Sequence, residues 1–279
     1  MKRKAMIMLT GVVAFGVLSA CGNSKESAHS DSHGGMNHEA KSSVSANESA
    51  GDYQAAFSFA SGAVMANEQS NIHIQITDAT GNAVNDFELN HEKLLHLIVI
   101  SKDLSYFSHI HPEYQGEGKF SIGTTFPSGG EYKVFADFVP KGGSSTILSD
   151  WVNVEGEPHA AETIKADSNL TKVVDGIEIE LTMSSAKVNE EVTLSFNILD
   201  AQTKEGIRNL EQYLGAVGHV VILSEDAEQY LHVHPMDATA TGPKAEFMTS
   251  FPKSGIYKIW GQFQHGGKVF TVPFVVEVN

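Results

Sequence analysis

Residues 96–112 read HLIVISKDLSYFSHIHP, and residues 219–235 read HVVILSEDAEQYLHVHP. Each is a run of aliphatic residues, a short polar turn, and a second run ending in His-x-His-Pro. That pattern predicts a β-hairpin. The separation is 123 residues for His96 and His219, for His109 and His232, and for His111 and His234. It is 125 for FPSGGEYKVFADF (126–138) and FPKSGIYKIWGQF (251–263), and 122 for Asp78 and Asp200, which close corresponding strands. A slowly drifting offset over so many landmarks means an internal duplication with small loop insertions.

From about Tyr53 onward the chain is short alternating runs broken by Gly, Asn, Asp and Pro, with no helical period. Each repeat is long enough for about seven short strands. The expected fold is all-β: two tandem antiparallel β-sandwich domains of immunoglobulin or cupredoxin-like type. The first spans residues 53–156 and the second 170–279, joined by a linker at 157–169. Neither repeat has the Cys and Trp marks of a true immunoglobulin domain.

The N-terminus sets the expected compartment. Lys2, Arg3 and Lys4 precede an apolar stretch from Ala5 to Val17, too short to remain in a bilayer as a span. It runs into LSAC, which resembles a bacterial lipobox. Residues 1–20 therefore read as a lipoprotein signal peptide, and Cys21, the sole cysteine, as the lipidation site. A chain with one cysteine forms no intramolecular disulfide and no thiolate metal cluster. The expected location is the extracytoplasmic face of the cell membrane, held by lipid. Without the three basic residues of the signal peptide, 34 acidic residues face 16 basic ones. Nucleic acid is a poor partner for such a surface.

Residues 21–52 lack any apolar period and read as a disordered tether. It contains His29, His33, Met36 and His38. Imidazole and thioether both bind copper, so these four are candidate ligands on a flexible arm. The plainer explanation is that histidine is simply soluble there.

The hairpin sequence also predicts side-chain geometry. With Lys102 and Asp103 as a two-residue loop, Ser101 pairs with Leu104 and His96 faces His109. With Glu225 and Asp226 as the loop, His219 faces His232. His111 and His234 lie two residues further on and share that face. Opposed Cβ atoms are about 4.5–5.5 Å apart, so three imidazoles can meet on one ion. The prediction is one metal per repeat, held by His96, His109 and His111 and by His219, His232 and His234. Pro112 and Pro235 end their strands, which predicts sites at a sheet end near solvent. His265, aligned with Pro140, is a further candidate ligand in the second repeat. Asp137, a carboxylate neighbour in the first repeat, aligns with Gln262. Met65, Met183, Met236 and Met248 read as packing residues, and Trp151 and Trp260 as core.

The hairpin LHLIVISKDLSYFSHIHPE and the later FPSGGEYKVFADF resemble the YtkA-like domains of secreted and lipid-anchored bacterial proteins. The resemblance covers both repeats. It implies small immunoglobulin-like or cupredoxin-like sandwiches associated with copper handling, with the H-x(12)-H-x-H-P pattern falling on the six hairpin histidines. A blue-copper centre is not implied, because its cysteine ligand is missing.

The expected function is a membrane-anchored protein, not an enzyme, that captures copper, Cu(I) or Cu(II), with zinc as second choice. It buffers the ion or passes it to a copper transporter or oxidase. A structural or adhesive tandem sandwich without metal is the main alternative. A hydrolase built on a metal with three histidine ligands is the third reading.

Overall fold

The computed structural model describes residues 52–60 and 62–279. The signal segment, Cys21 and the tether residues His29, His33, Met36 and His38 lie outside the described residues, as does the side chain of His232.

The first repeat contains β1 (Tyr53–Phe59), β2 (Val64–Met65), β3 (Gln69–Asp78), β4 (Phe87–Glu88), β5 (Leu95–Ser101), β6 (Phe107–Ile110), β7 (Glu113–Gly116), β8 (Lys119–Thr125), β9 (Gly130–Pro140) and β10 (Thr146–Glu155). The second contains β11 (Thr171–Val174), β12 (Ile177–Met183), β13 (Glu191–Asp200), β14 (His219–Ser224), β15 (Tyr230–His232), β16 (His234–Pro235), β17 (Lys244–Ser250), β18 (Gly255–His265) and β19 (Lys268–Val278). No helix occurs among the described residues. The chain is an all-β tandem of two immunoglobulin-like sandwiches.

In the first repeat, the sheet β1-β3-β8-β7 packs on β2-β10-β9-β5-β6, with β4 added to β9. In the second, β11-β12-β13-β17-β16 packs on β15-β14-β18-β19. Pairing is antiparallel apart from the short β2–β10 contact. Strand alternation explains the cores. Ile72, Ile74 and Ile76 of β3 face Leu95, Leu97 and Val99 of β5 and Val134, Ala136 and Phe138 of β9. Leu194, Phe196 and Ile198 of β13 face Val220 and Ile222 of β14 and Ile259 and Phe263 of β18.

The alternate residues of β5 and β14 are also buried, and this decides the architecture. All seven residues of β5 and all six of β14 are buried. Half of each strand fills its own sandwich. The other half packs against the other repeat, in an apolar cluster of Ile98, Ile100, Leu104, Phe135 and Ile147 with Val221, Leu223, Ala227, Tyr230 and Trp260. Each fully buried side chain of this kind contributes about 1.5–3 kcal/mol. Apolar burial is therefore the main term holding the repeats together.

The contacts across this interface are reciprocal, as in a two-fold symmetric dimer. Phe107 stacks on Trp260 with centroids 4.7 Å apart. The duplicated counterparts, Tyr230 and Phe135, pack at 5.3 Å. Lys133 Nζ donates to the carbonyl of Ala227 at 2.8 Å. Its counterpart Lys258 donates to the carbonyl of Leu104 at 2.7 Å. Leu104 and Ala227 are the left-handed residues of the two hairpin loops, with φ of 57° and 55°. Each repeat thus caps the other's turn.

The linker is docked as well. His159 contacts the Asp103 carboxylate at 2.8 Å, and Asp167 accepts from the backbone of Val275 at 2.8 Å. Both ends of the segment are thereby tied to sandwich residues.

Candidate metal centre

The hairpin turn is longer than the sequence suggested. Ser101 pairs with Tyr106 around the loop 102–105. Asp103 organises that loop by accepting from the Ser105 amide and from the hydroxyls of Ser101 and Ser105. Those bonds and its contact with His159 hold the Asp103 carboxyl far below its ordinary range, against the opposing effect of burial. The register consequently moves by two: His109 faces Ile98, not His96. In the second hairpin His232 likewise faces Val221. A shift of two leaves every side chain on its original face. The histidines therefore still converge, although the predicted pairs are not the observed ones.

The larger correction concerns where the two triads go. His96 and His219 lie on the outward faces of β5 and β14, which pack together. Their rings stack at 5.3 Å with planes 13° apart. The ligand nitrogens of His96, His109 and His219 lie within 4.8 Å of one another. His111 adjoins them, with Nε2 at 3.2 Å from His109 Nε2. His219 of the second expected triad thus lies with His96 and His109 of the first, while the side chain of His232 lies outside the described residues. That place is not an open sheet end: His96 is 1% exposed and His219 7%.

Hydrogen bonding fixes which nitrogens face inward. His96 Nε2–H donates to the carbonyl of Asn90 at 2.8 Å. A carbonyl only accepts, so Nδ1 of His96 is the unprotonated nitrogen of that ring. His109 Nδ1–H donates to Gln262 Oε1 at 2.7 Å, across the interface, while the Gln262 amide nitrogen donates to Thr271 at 3.2 Å. His109 Nε2 is therefore unprotonated too. With both rings neutral, these two lone pairs face each other at 2.9 Å. Two metal–nitrogen bonds of about 2.0–2.1 Å spanning that gap meet at about 90°, an ordinary coordination angle. The residues fit a bridging cation better than they fit one another.

The electrostatics agree. Burial, reinforced by the nearby His96, lowers His109 to about 4, against the Gln262 hydrogen bond and the Asp137 charge. Burial and then His109, His96 and Lys93 lower His111 to about 3. Both rings are neutral at pH 7, the state that binds metal. Asp137 pairs with His96 in the sheet register and is 2% exposed. It accepts from Tyr230 at 3.4 Å and Ser145 at 3.3 Å, beside the cluster.

His91 was missed by the sequence reading. It sits in the two-residue turn Asn90–Lys93, and its ring is 5.1 Å from His219 and 6.3 Å from His96. The signal was present in NHEKLLH, five residues ahead of His96, but no hairpin rule points to it. His234 is exposed and pairs with Met248 in the opposite sheet, 6.5 Å from the His91 ring. Pro235 is the last residue of β16, where the strand ends as expected. His265 ends β18, paired with Lys268, where its charge acts on Glu211. Met236 is 55% exposed, which corrects its assignment to packing, and Met65 is also exposed. Met183 packs on the second core. Trp260 lies in the inter-repeat cluster, whereas Trp151 is exposed and lies near the amino groups of Lys102 and Lys133.

Fold and site together define a tandem immunoglobulin-like sandwich with a histidine cluster between its repeats. The chain belongs to the family described as "Domain of unknown function (DUF8832)", whose pattern matches twice, at residues 48–156 and 172–279. No curated protein matches it. Among solved structures it is similar to the Escherichia coli adhesin FdeC, at 16% identity and a TM-score of 0.26, covering 81% of this chain and 64% of that one. The Yersinia pseudotuberculosis adhesin InvE is similar at 10% identity and a TM-score of 0.26, covering 83% and 61%. A Corynebacterium diphtheriae protein described as membrane-anchored follows at 9% and 0.24, covering 81% and 57%. The chain spans less than two thirds of each, and likeness at this level carries no argument about function.

Proposed function

We propose that this protein is a lipid-anchored, extracytoplasmic carrier that holds one copper ion between its two repeats. His96, His109 and His219 would hold the ion, with His111 beside them. The observation that carries the reading is the pair of inward-facing imidazole nitrogens, 2.9 Å apart, whose opposite nitrogens lie against acceptors. Among divalent ions an all-imidazole site favours Cu(II) over Zn(II), and the centre offers no thiolate. The resemblance to YtkA-like domains points the same way. Lipid at Cys21 would attach the protein to the membrane, and His29, His33, Met36 and His38 would deliver ions from the tether. A copper transporter or oxidase is the partner class for onward transfer. In this reading the chain is a carrier and catalyses nothing.

A second reading, a structural or adhesive tandem, is favoured by one observation: the apolar cluster joins the repeats without an ion. Equilibrium dialysis of the full chain against Cu(II), followed by metal analysis, separates the two. One retained ion per chain, with nitrogen hyperfine structure in its electron paramagnetic resonance spectrum, supports the carrier. No retained metal, or equal retention by His96→Ala with His219→Ala, leaves the structural reading.

A further inference from the structure

The triad is nearly closed to solvent, so an ion needs a route to it. One side of the cluster offers a graded series of imidazoles: His234 exposed, His91 half-buried, His219 buried. Successive ring centroids are 6.5 Å and 5.1 Å apart. An ion about 2 Å from a ligand nitrogen lies roughly 3 Å from that ring's centre, so rings up to roughly 6–6.5 Å apart can share it. His91 is also nearer to His219 than to His96. It lies between the surface ring and the triad, beside the position that the facing nitrogens of His96 and His109 enclose.

The backbone that carries His91 is unusual. His91 and Glu92 both have left-handed conformations, with φ of 47° and 64°, although neither is glycine. The duplicated turn, Tyr213–Ala216, has the same pair of backbone hydrogen bonds and carries Leu214 and Gly215. Leucine at that place satisfies the fold, so the turn itself does not require histidine. The conformation therefore belongs to the duplicated turn, and the imidazole is what sets the first turn apart.

We propose that His91 is an exchange ligand, through which a metal ion passes between His234 at the surface and the buried triad. This rests on the metal-binding reading above. At each step one metal–nitrogen bond forms as another breaks: first to His91 as His234 lets go, then to His219 as His91 lets go. Neutral imidazoles donate their lone pairs throughout, and no electron is transferred.

The test uses the full chain, with Cu(II) as the added ion in a weakly chelating buffer and a strong chelator for removal, both followed by stopped flow. His91→Leu copies the counterpart turn and keeps the fold. Loading and removal should both slow by roughly tenfold, the scale of losing one supporting metal interaction, with one ion still bound at equilibrium. Glu92→Gly, which relaxes the turn but keeps the imidazole, should load at the wild-type rate. Unchanged rates in His91→Leu overturn the proposal, since the ion then enters elsewhere, for instance past His111. Faster removal also overturns it, because that is the mark of an ordinary ligand. A wild-type chain that takes up no copper fails at the earlier step and removes the metal-binding reading itself.

Discussion

The turns Asn90–Lys93 and Tyr213–Ala216 descend from one ancestral turn and share one backbone. The first presents His91 and Glu92 and the second Leu214 and Gly215, and the two abut: a Cβ on Gly215 would lie 3.3 Å from the Glu92 side chain. Around them the repeats keep strict reciprocity where they pack. The lysine-to-carbonyl caps match, and so do the aromatic pairs. They differ where they touch the imidazoles: His91 against Leu214, and Asp137 against Gln262. Reciprocity was retained for burial, where both halves do the same work. It was lost at the centre, where His96, His109 and His219 gather.

The strongest way to break this comparison is to ask whether the centre is single. His109→Ala should reduce bound copper from one ion per chain to none, weakening affinity by about 100-fold or more. Two independent sites would instead leave half the metal in place. Dialysis and metal analysis decide between them.

The reciprocal aromatic contacts come next. Trp260→Ala removes a side chain that is 3% exposed and stacked across the interface. It should cost about 3–5 kcal/mol in denaturant unfolding. Trp151→Ala, at an exposed position, should cost under about 1 kcal/mol. Equal costs would mean that the inter-repeat face is not a core.

The cluster also predicts an acid limit for the metal-free protein. His109 and His111 are lowered to about 4 and about 3 in the folded state, from an ordinary 6.5. Between those values the unfolded chain takes up protons that the folded chain refuses, so stability falls as pH drops. Midpoint urea concentrations should hold steady above about pH 6.5 and decline towards pH 4. His109→Gln should flatten that decline.

The smallest effect sharpens the comparison between the two caps. Lys133 is buried and also pairs with Glu228 at 2.8 Å, while Lys258 is half-buried. Lys133→Met should cost about 1–3 kcal/mol by stranding the Ala227 carbonyl. Lys258→Met should cost less, because Lys258 itself is only half-buried. Burial lowers the Lys258 pKa, against the nearby charges of Glu162, Asp103 and Asp167.

Much of this molecule was legible in its sequence. Duplication, strand texture and punctuation determined a tandem all-β sandwich, because period-two alternation and turn residues are local properties of the chain. The same alternation put His109 and His111 on one face and His96 on the matching face of its neighbour. The two-residue error in register came from the loop. Asp103 draws four residues into the turn through side-chain hydrogen bonds that a loop-length rule omits. Because the error was even, the faces survived it. One further signal was present and went unused: LHLIVIS and HVVILS are apolar on both faces, and a strand buried on both sides needs a second neighbour. The sequence could not say that this neighbour is the other repeat. Nor could it place His91 beside His219, or set Gln262 to orient His109 from 153 positions away. Those are relations between surfaces, and they exist only once two folded sheets have closed on each other. Local pattern assigned each histidine to a face, and the packing of two apolar faces brought His96, His109 and His219 to one centre.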